Sequence, residues 1–329
     1  MKRVLTGIKP TGHAQIGNYF GAIKPAIELR QNSEYECFYF IADYHALTTL
    51  KTKEEFKDYT KNIACSWLAC GLDPNRVVFY KQSDIKEDFE LNWILCNVTP
   101  KGLMNRAHAY KAVVEKNEEL GVDVDSGVNM GLYNYPILMA ADILLFGSNY
   151  VPVGVDQKQH IEIARDIASY FNNKYKSVFV LPEELIQENV KLVVGLDGRK
   201  MSKSYGNAID LFCTESELKK SINRIVTDSR LPGEPKDVDC TINKFYKLFA
   251  TETQQKEFEE KLKNGLGWGD AKKELFEVAN SYISPMRQKY DYYMSHYDEV
   301  EKMLEAGAEK ARKVAREYLT KVRKAIGVE

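Results

Sequence analysis

Apolar positions along the first two-thirds of the chain follow two alternating rhythms. Short runs rich in Val, Phe and Tyr, bounded by Gly, Pro or Asp, stand at 3–7, 36–43, 76–82, 149–154, 177–182 and 191–197, and they predict β-strands. Between them the apolar residues recur at helical spacing. Phe56, Tyr59, Ile63, Trp67 and Leu68 do so within 54–71, and Ile161, Ala164, Ala168 and Phe171 within 157–171. Such alternation predicts an α/β domain, a mostly parallel sheet covered on both faces. Ligands of such sheets sit at the carboxyl ends of the strands, where the chain reverses order. After about residue 208 the strand rhythm stops. From 215 onward the pattern is helical, broken at 228–237 and 264–270, and the last helix, about 298–326, carries Ala311, Val314, Ala315, Tyr318, Leu319, Val322 and Ile326 on one face. The division expected is 1–207 and an all-helical domain over 208–329.

Composition changes this picture little. The 329 residues are 44% hydrophobic and 28% charged, ordinary for a globular protein, and long enough for two domains. A net charge of −1 argues against a protein coated in nucleic acid but allows a local basic face. Residues 306–326 hold seven Lys/Arg (310, 312, 313, 316, 321, 323, 324) against acids at 309 and 317. An RNA-backbone contact and the polar face of a surface helix are equal alternatives there. Cysteines 37, 65, 70, 96, 213 and 240 form no C-x-x-C pair and read as free thiols in a reducing compartment, with no zinc or iron–sulfur site expected. No apolar run has signal or membrane-span length, so a cytoplasmic protein without membrane contact is expected.

Three stretches carry candidate chemistry. GIKPTGHAQIGNYFGAI (7–23) follows the first strand, and its glycines and Pro10 forbid regular structure until a helix starts near Asn18. A glycine-rich turn at a helix N-terminus is an anion site, although it matches neither the dinucleotide nor the P-loop spacing. GLDGRKMSKSYGNA (195–208) puts Arg199, Lys200 and Lys203 with two hydroxyls inside a glycine-fenced loop. It is either a solvated turn or a clamp for a polyphosphate. Asp142 stands inside ILMAADILLF, where a buried carboxylate costs several kcal/mol unless a donor satisfies it. That donor is either a neighbouring backbone N–H or Arg, or a ligand.

Together the two loops resemble the signatures of the class I aminoacyl-tRNA synthetases. Lys200, Met201, Ser202, Lys203 and Ser204 form a complete Lys-Met-Ser-Lys-Ser motif. Gln15, Ile16, Gly17 and Asn18 stand for His-Ile-Gly-His, with both histidines replaced, as in the PxGxxxIGNY form of the tryptophanyl branch. The segment 133–168 is also similar to that branch, and the likeness runs from residue 3 to about 326. It implies a Rossmann-like parallel-sheet catalytic domain followed by an all-helical anticodon-binding domain. It implies a mobile loop at 197–206 and a homodimer through the helical segment 95–145. The alternative for that segment is plain intradomain core.

The activity the resemblance implies is attack of the tryptophan carboxylate on the α-phosphate of ATP, with pyrophosphate leaving, then transfer to tRNA(Trp). Asn18, Lys200, Ser202 and Lys203 are the catalytic candidates. ATP contacts are implied at Lys9, Pro10, Thr11, Gly17 and Asn18, at Gly154, Val155 and Asp156 around the ribose, at Leu192 beside adenine, and at Lys200 to Ser204, with Mg²⁺ held by the phosphates. The implied tryptophan pocket has Asp142 accepting the indole N–H and Tyr135 and Gln157 at the ammonium end. Met139, Val151, Val153, Gly7 and His45 lie around the ring. Met139 separates this chain from tyrosyl relatives, several of which carry Gln there. Lys9, Leu5 and Val113 depart from common family residues, leaving Lys111 as the second phosphate-facing lysine, and Pro25 predicts a kink in the first helix. A tyrosyl enzyme, a nucleotidylyltransferase and a silent RNA-binding paralogue remain as rivals.

Overall fold

The computed structural model describes residues 1–154, 157–185 and 193–329. Its centre is a parallel sheet in the order β3–β2–β1–β4–β5. The strands are β1 Lys2–Ile8, β2 Tyr35–Ile41, β3 Val78–Lys81, β4 Tyr150–Pro152 and β5 Glu183–Leu185. The helices before the lysine loop are α1 Ile16–Asn18, α2 Lys24–Leu29, α3 Asp43–Ala46, α4 Lys53–Ala69, α5 Lys86–Cys96, α6 Lys101–Met104, α7 His108–Leu120, α8 Met130–Leu144 and α9 Lys158–Lys174. After it come α10 Glu215–Asn223, α11 Thr241–Phe249, α12 Glu252–Lys263, α13 Trp268–Ser295 and α14 Tyr297–Ile326. Every described helix or strand from 215 on is therefore helical, as the pattern predicts.

Strand alternation sorts the core into two layers. Val4, Tyr39 and Phe79 belong to one buried cluster with Ile63 and Trp67 of α4. Leu5, Phe38, Phe40 and Tyr80 belong to the other, with Leu91 of α5, Ile137 of α8 and Ile161 of α9. Neither cluster stops at residue 207. The first continues through Phe245, Leu275 and Ile283, and the second takes in Ala308, Ala311, Ala315, Leu319 and Val322 of α14. Gly307 lets α14 lie directly on β3, since a Cβ there would overlap the Phe79 carbonyl.

Two predicted strands are corrected. Residues 177–182 form none, and β5 begins at Glu183. The reason is a side chain that replaces a neighbouring strand: Asn172 Oδ1 accepts from the N–H groups of Val178 and Phe179, and its Nδ2 donates to the Phe179 carbonyl. Of 191–197, residues 191 and 192 lie outside the described residues. Val194 pairs only with Lys200, in an isolated antiparallel bridge that closes a tight hairpin. The kink expected at Pro25 takes the form of a π-helical turn over Tyr19–Ile23, where the Lys24 N–H reaches back to the Tyr19 carbonyl.

Candidate active site

Strand order reverses at β1, between β2 and β4, and a cavity of about 410 Å³ opens beside their carboxyl ends. Gly7 and Lys9 reach it from β1, His45 from α3, Tyr135, Met139 and Asp142 from α8, Val151 from β4 and Gln157 from the start of α9. Gly7 is required by a close approach: a Cβ there would overlap the Phe40 ring. Val153 is not brought into this wall. It packs half-buried, just past the end of β4, on the same core layer as Val151. Leu5, Phe40, Thr48 and His160 line the cavity as well.

Asp142 is 4% exposed and bonded on both oxygens. His45 Nε2 lies 2.8 Å from Oδ2, and Gln82 Nε2 donates to Oδ1 at 2.8 Å. Gln82 is itself aimed by the Tyr44 N–H, which donates to Oε1 at 3.1 Å. Burial pushes the Asp142 carboxyl up to about 7 and the His45 imidazole down to about 4, so the pair is not a fixed ion pair. Asp43, the first residue of α3, holds Ser83, accepting from its N–H at 3.0 Å and its Oγ at 2.5 Å, which fixes the turn that presents Gln82. On the far wall, Tyr135 Oη and His160 Nε2 are 2.5 Å apart. Lys9 Nζ donates to Thr48 Oγ1 at 2.8 Å, and burial lowers its pKa. Gln82 and Thr48 were missed by sequence reasoning, although Gln82 carries the usual signal, a polar residue directly after a strand.

The lysine loop is joined to the front loop. The Ile16 N–H donates to the Ile209 carbonyl at 3.0 Å, and the Leu211 N–H to the Ala14 carbonyl at 2.9 Å. A Cβ on Gly12 would meet Lys203 Nζ, and one on Gly17 would lie 3.3 Å from Met201 Sδ. Gly12 also has φ +127°, a conformation open to glycine. Lys203 is exposed along its flank, yet crowding at the ammonium lowers its pKa, partly offset by Asp210. Lys200 is exposed. Ser202 Oγ and Ser204 Oγ are 2.8 Å apart. Asn18 Oδ1 accepts from the Gln15 N–H at 2.9 Å, while Pro10 is buried and Thr11 exposed.

Asn207 organises this loop and was not singled out by the sequence. It is 3% exposed. Its Oδ1 accepts from the Ser202 N–H at 2.8 Å, and its Nδ2 donates to Asp197 Oδ1 at 2.7 Å and to the Lys200 carbonyl at 3.2 Å. Those bonds and the Arg199 side chain hold the Asp197 carboxyl down at about 2.

Gly154 is described and accepts from the Gln157 N–H at 2.9 Å; Val155, Asp156 and Leu192 lie outside the described residues. Lys111 stands exposed on α7, 3.5 Å from Glu115. The basic face of α14 divides in two. Arg312 donates to the Asp84 carbonyl in the turn before α5, and Arg316 and Arg323 donate to Glu87 and Glu90 of α5. Lys310, Lys313, Lys321 and Lys324 stay exposed. Among the described residues no three His, Cys, Asp or Glu group to hold a metal, and no helix is long and apolar enough to cross a membrane.

The family of tRNA synthetases class I (W and Y) matches residues 1–284. A tryptophan–tRNA ligase of Neisseria meningitidis is 53% identical, with 99% of this chain and 98% of the relative covered. A tryptophan–tRNA ligase of Pseudomonas aeruginosa is 50% identical over 99% of this chain and 74% of its own length. A crystal structure of the tryptophanyl-tRNA synthetase from Campylobacter jejuni, complexed with ADP and tryptophan, superposes with a TM-score of 0.91 at 47% identity and covers 99% of both chains.

Proposed function

Since the chain belongs to the tRNA synthetases class I (W and Y), we propose that it is a tryptophan–tRNA ligase, and that the cavity at the β1/β4 switch is its amino-acid pocket. It activates L-tryptophan with ATP and passes the tryptophanyl group to tRNA(Trp). The observation that carries the residue assignment is Asp142, an acceptor buried in an apolar wall and oriented by His45 and Gln82. An acceptor aimed at one N–H rejects a ring that lacks it, because the polar group is then left unpaired. Met139 supplies a polarisable wall for a wide ring, whereas a phenol would need a polar partner there.

The carboxylate nucleophile is already ionised at neutral pH, so activation needs no general base. Oxygen of the tryptophan carboxylate bonds to the α-phosphorus, the bond to the bridging oxygen breaks, and pyrophosphate departs with that electron pair. The chain's work is positioning and charge stabilisation. Lys203, already against Gly12, and Lys200 receive the β/γ-phosphates, with Ser202 and Ser204 as donors and Gly17 and Asn18 opposite. Mg²⁺ would be held by the nucleotide's own phosphates and would supply further neutralisation of their charge beside Lys200 and Lys203. Gly198 and Gly206, both at positive φ, flank a segment that closes over the nucleotide.

The helical region from 208 is assigned to the anticodon end of the tRNA, with the free lysines of α14 facing the backbone. A homodimer is supported by the exposed Trp93, Leu120, Val122, Val124 and Met130 around 95–145. A cytoplasmic location agrees with six free cysteines. The deciding experiment is ATP–pyrophosphate exchange with tryptophan and with tyrosine, for the wild type and Asp142→Ala. Tryptophan-dependent exchange that collapses in the folded variant is expected. Exchange with tyrosine, or an unchanged tryptophan KM in the variant, overturns the assignment.

A further inference from the structure

We propose that Asp88 is a positioning residue for the amino-acid pocket, sharing one proton with Asp142 and thereby holding Asp142 as the acceptor for the substrate ring. The inference rests on the tryptophan reading above, and Asp88 does not line the cavity itself.

Asp88 sits on α5, 2% exposed, beside Asp142 and Gln82. Both of its carboxyl oxygens are buried, and among the described residues neither receives a donor. Two buried carboxylates in contact, one of them without a hydrogen-bond donor of its own, cannot both be ionised in a protein interior; that one keeps its proton and gives it to the other. Asp142 is the natural recipient, since His45 and Gln82 already address its two oxygens. Asp88, with burial first and the neighbouring Asp142 acting on it and only His45 and Gln82 opposing, is held well above the usual carboxylate range and keeps the proton.

The acceptor count gives this a consequence. A carboxylate offers about four lone-pair sites. Gln82 occupies one on Oδ1, His45 one on Oδ2, and the Asp88 hydroxyl a third. One site is left for the ring N–H, so Asp142 is fully satisfied only when substrate is bound.

Among the described residues, the influences that oppose the rise of the Asp88 carboxyl come from His45 and Gln82, and burial and Asp142 outweigh them. Tyr80 from β3, His45 from α3 and Asp142 from α8 face Asp88, and burial keeps His45 neutral. Asp43 and Lys9 face His45 rather than Asp88. The arginines of α14 engage the Asp84 carbonyl before α5 and Glu87 and Glu90 on it. At alkaline pH the pair loses its proton, two like charges stand side by side, and the pocket loses its set geometry.

The test uses the purified full chain, with Asp88→Asn and Asp88→Leu. Asp88→Asn keeps a donor but has no proton to lose. Asp88→Leu keeps the approximate volume and removes the donor. Tryptophan KM and kcat are followed by pyrophosphate exchange from acid to alkaline pH. The infrared C=O stretching band of a protonated carboxylic acid is recorded at pH 8 for the substrate-free protein. The wild type is expected to show the band and a tryptophan KM that rises on the alkaline side. Asp88→Asn loses both the band and the rise while keeping KM within about threefold at neutral pH, and Asp88→Leu raises KM about tenfold with a smaller change in kcat. A band that survives in Asp88→Asn, or an alkaline limb shared by wild type and Asp88→Asn, overturns the proposal. The band needs no activity: a wild type with the band and its loss in Asp88→Asn, but without tryptophan-dependent exchange, keeps the shared proton and removes the functional reading. If Asp88→Leu does not fold, the band and the Asp88→Asn profile decide alone.

Discussion

Asn207→Ala isolates the lysine loop from the amino-acid pocket. The substitution deletes three side-chain hydrogen bonds, to the Ser202 N–H, Asp197 Oδ1 and the Lys200 carbonyl. At about 0.5–1.5 kcal/mol each, the loop loses about 3 kcal/mol of local stability. That is roughly two decades in the population of its ordered form, at about 1.4 kcal/mol per decade. Global stability falls less, because the loop lies at the surface and the two core clusters do not include Asn207. The expected result in pyrophosphate exchange is a kcat lower by one to two decades, with tryptophan KM within about twofold of wild type. Gly195→Ala reproduces it, since the added Cβ would overlap the Asn207 amide. A tryptophan KM that rises in parallel with the loss of kcat refutes the reasoning, because the loop would then be part of the amino-acid pocket. So does an unchanged kcat, which would mean that the hydrogen bonds of Asn207 do not prepare the loop for nucleotide.

Other outcomes follow from the same geometry. Asp142→Ala leaves the Gln82 and His45 donors unpaired in a buried site; a loss of about 2–5 kcal/mol in urea unfolding, relieved in part by Asp142→Asn, is expected. The Asp197 carboxyl, held down at about 2, contributes loop order that is complete above its ordinary pKa and is lost as pH falls through about 2. An NMR titration of its carboxyl carbon is expected to move up toward the ordinary value in Asn207→Ala. Gly307→Ala, pressed on the Phe79 backbone, is expected to destabilise by about 1–3 kcal/mol. Arg316→Ala, whose ion pair with Glu87 has an arginine 69% exposed, should cost under about 1 kcal/mol. Chemical denaturation of the two variants side by side checks the contrast.

Where the chain announces its structure, it does so through contrast with its surroundings. Asp142 stands out because a carboxylate interrupts ILMAADILLF, and the two glycine-fenced loops stand out because nothing else breaks the strand–helix rhythm so densely. Asp88 gives no such signal: it is one acid among Lys86, Glu87 and Glu90, and only the docking of α5 decides which of them turns inward. Asn207 looks like a turn residue until Gly195 is seen against it. The apolar run 177–182 reads as a strand because its pattern is right, whereas its backbone partners come from Asn172, a helix residue five positions or more upstream. Arg312, Arg316 and Arg323 look like free charge in sequence because their partners are far upstream: the Asp84 main-chain carbonyl for Arg312, and Glu87 and Glu90, 229 and 233 residues away, for the other two.

The seating of α14 on β3 bears on how the molecule reaches its native state. The apolar row Ala308, Ala311, Ala315, Leu319 and Val322 completes the layer that contains Phe38, Phe40 and Tyr80. Until that helix arrives, the β3 end of that layer is unfinished, although α5, α8 and α9 already cover the rest. A contact closed over such a span is slow to form, because loop-closure entropy must be overcome before burial returns anything. Partly folded chains therefore present an aromatic sheet face to one another, the circumstance in which larger proteins aggregate or call on chaperones. Removal of α14 would uncover the part of that layer that lies on β3, while α5, α8 and α9 keep the rest covered.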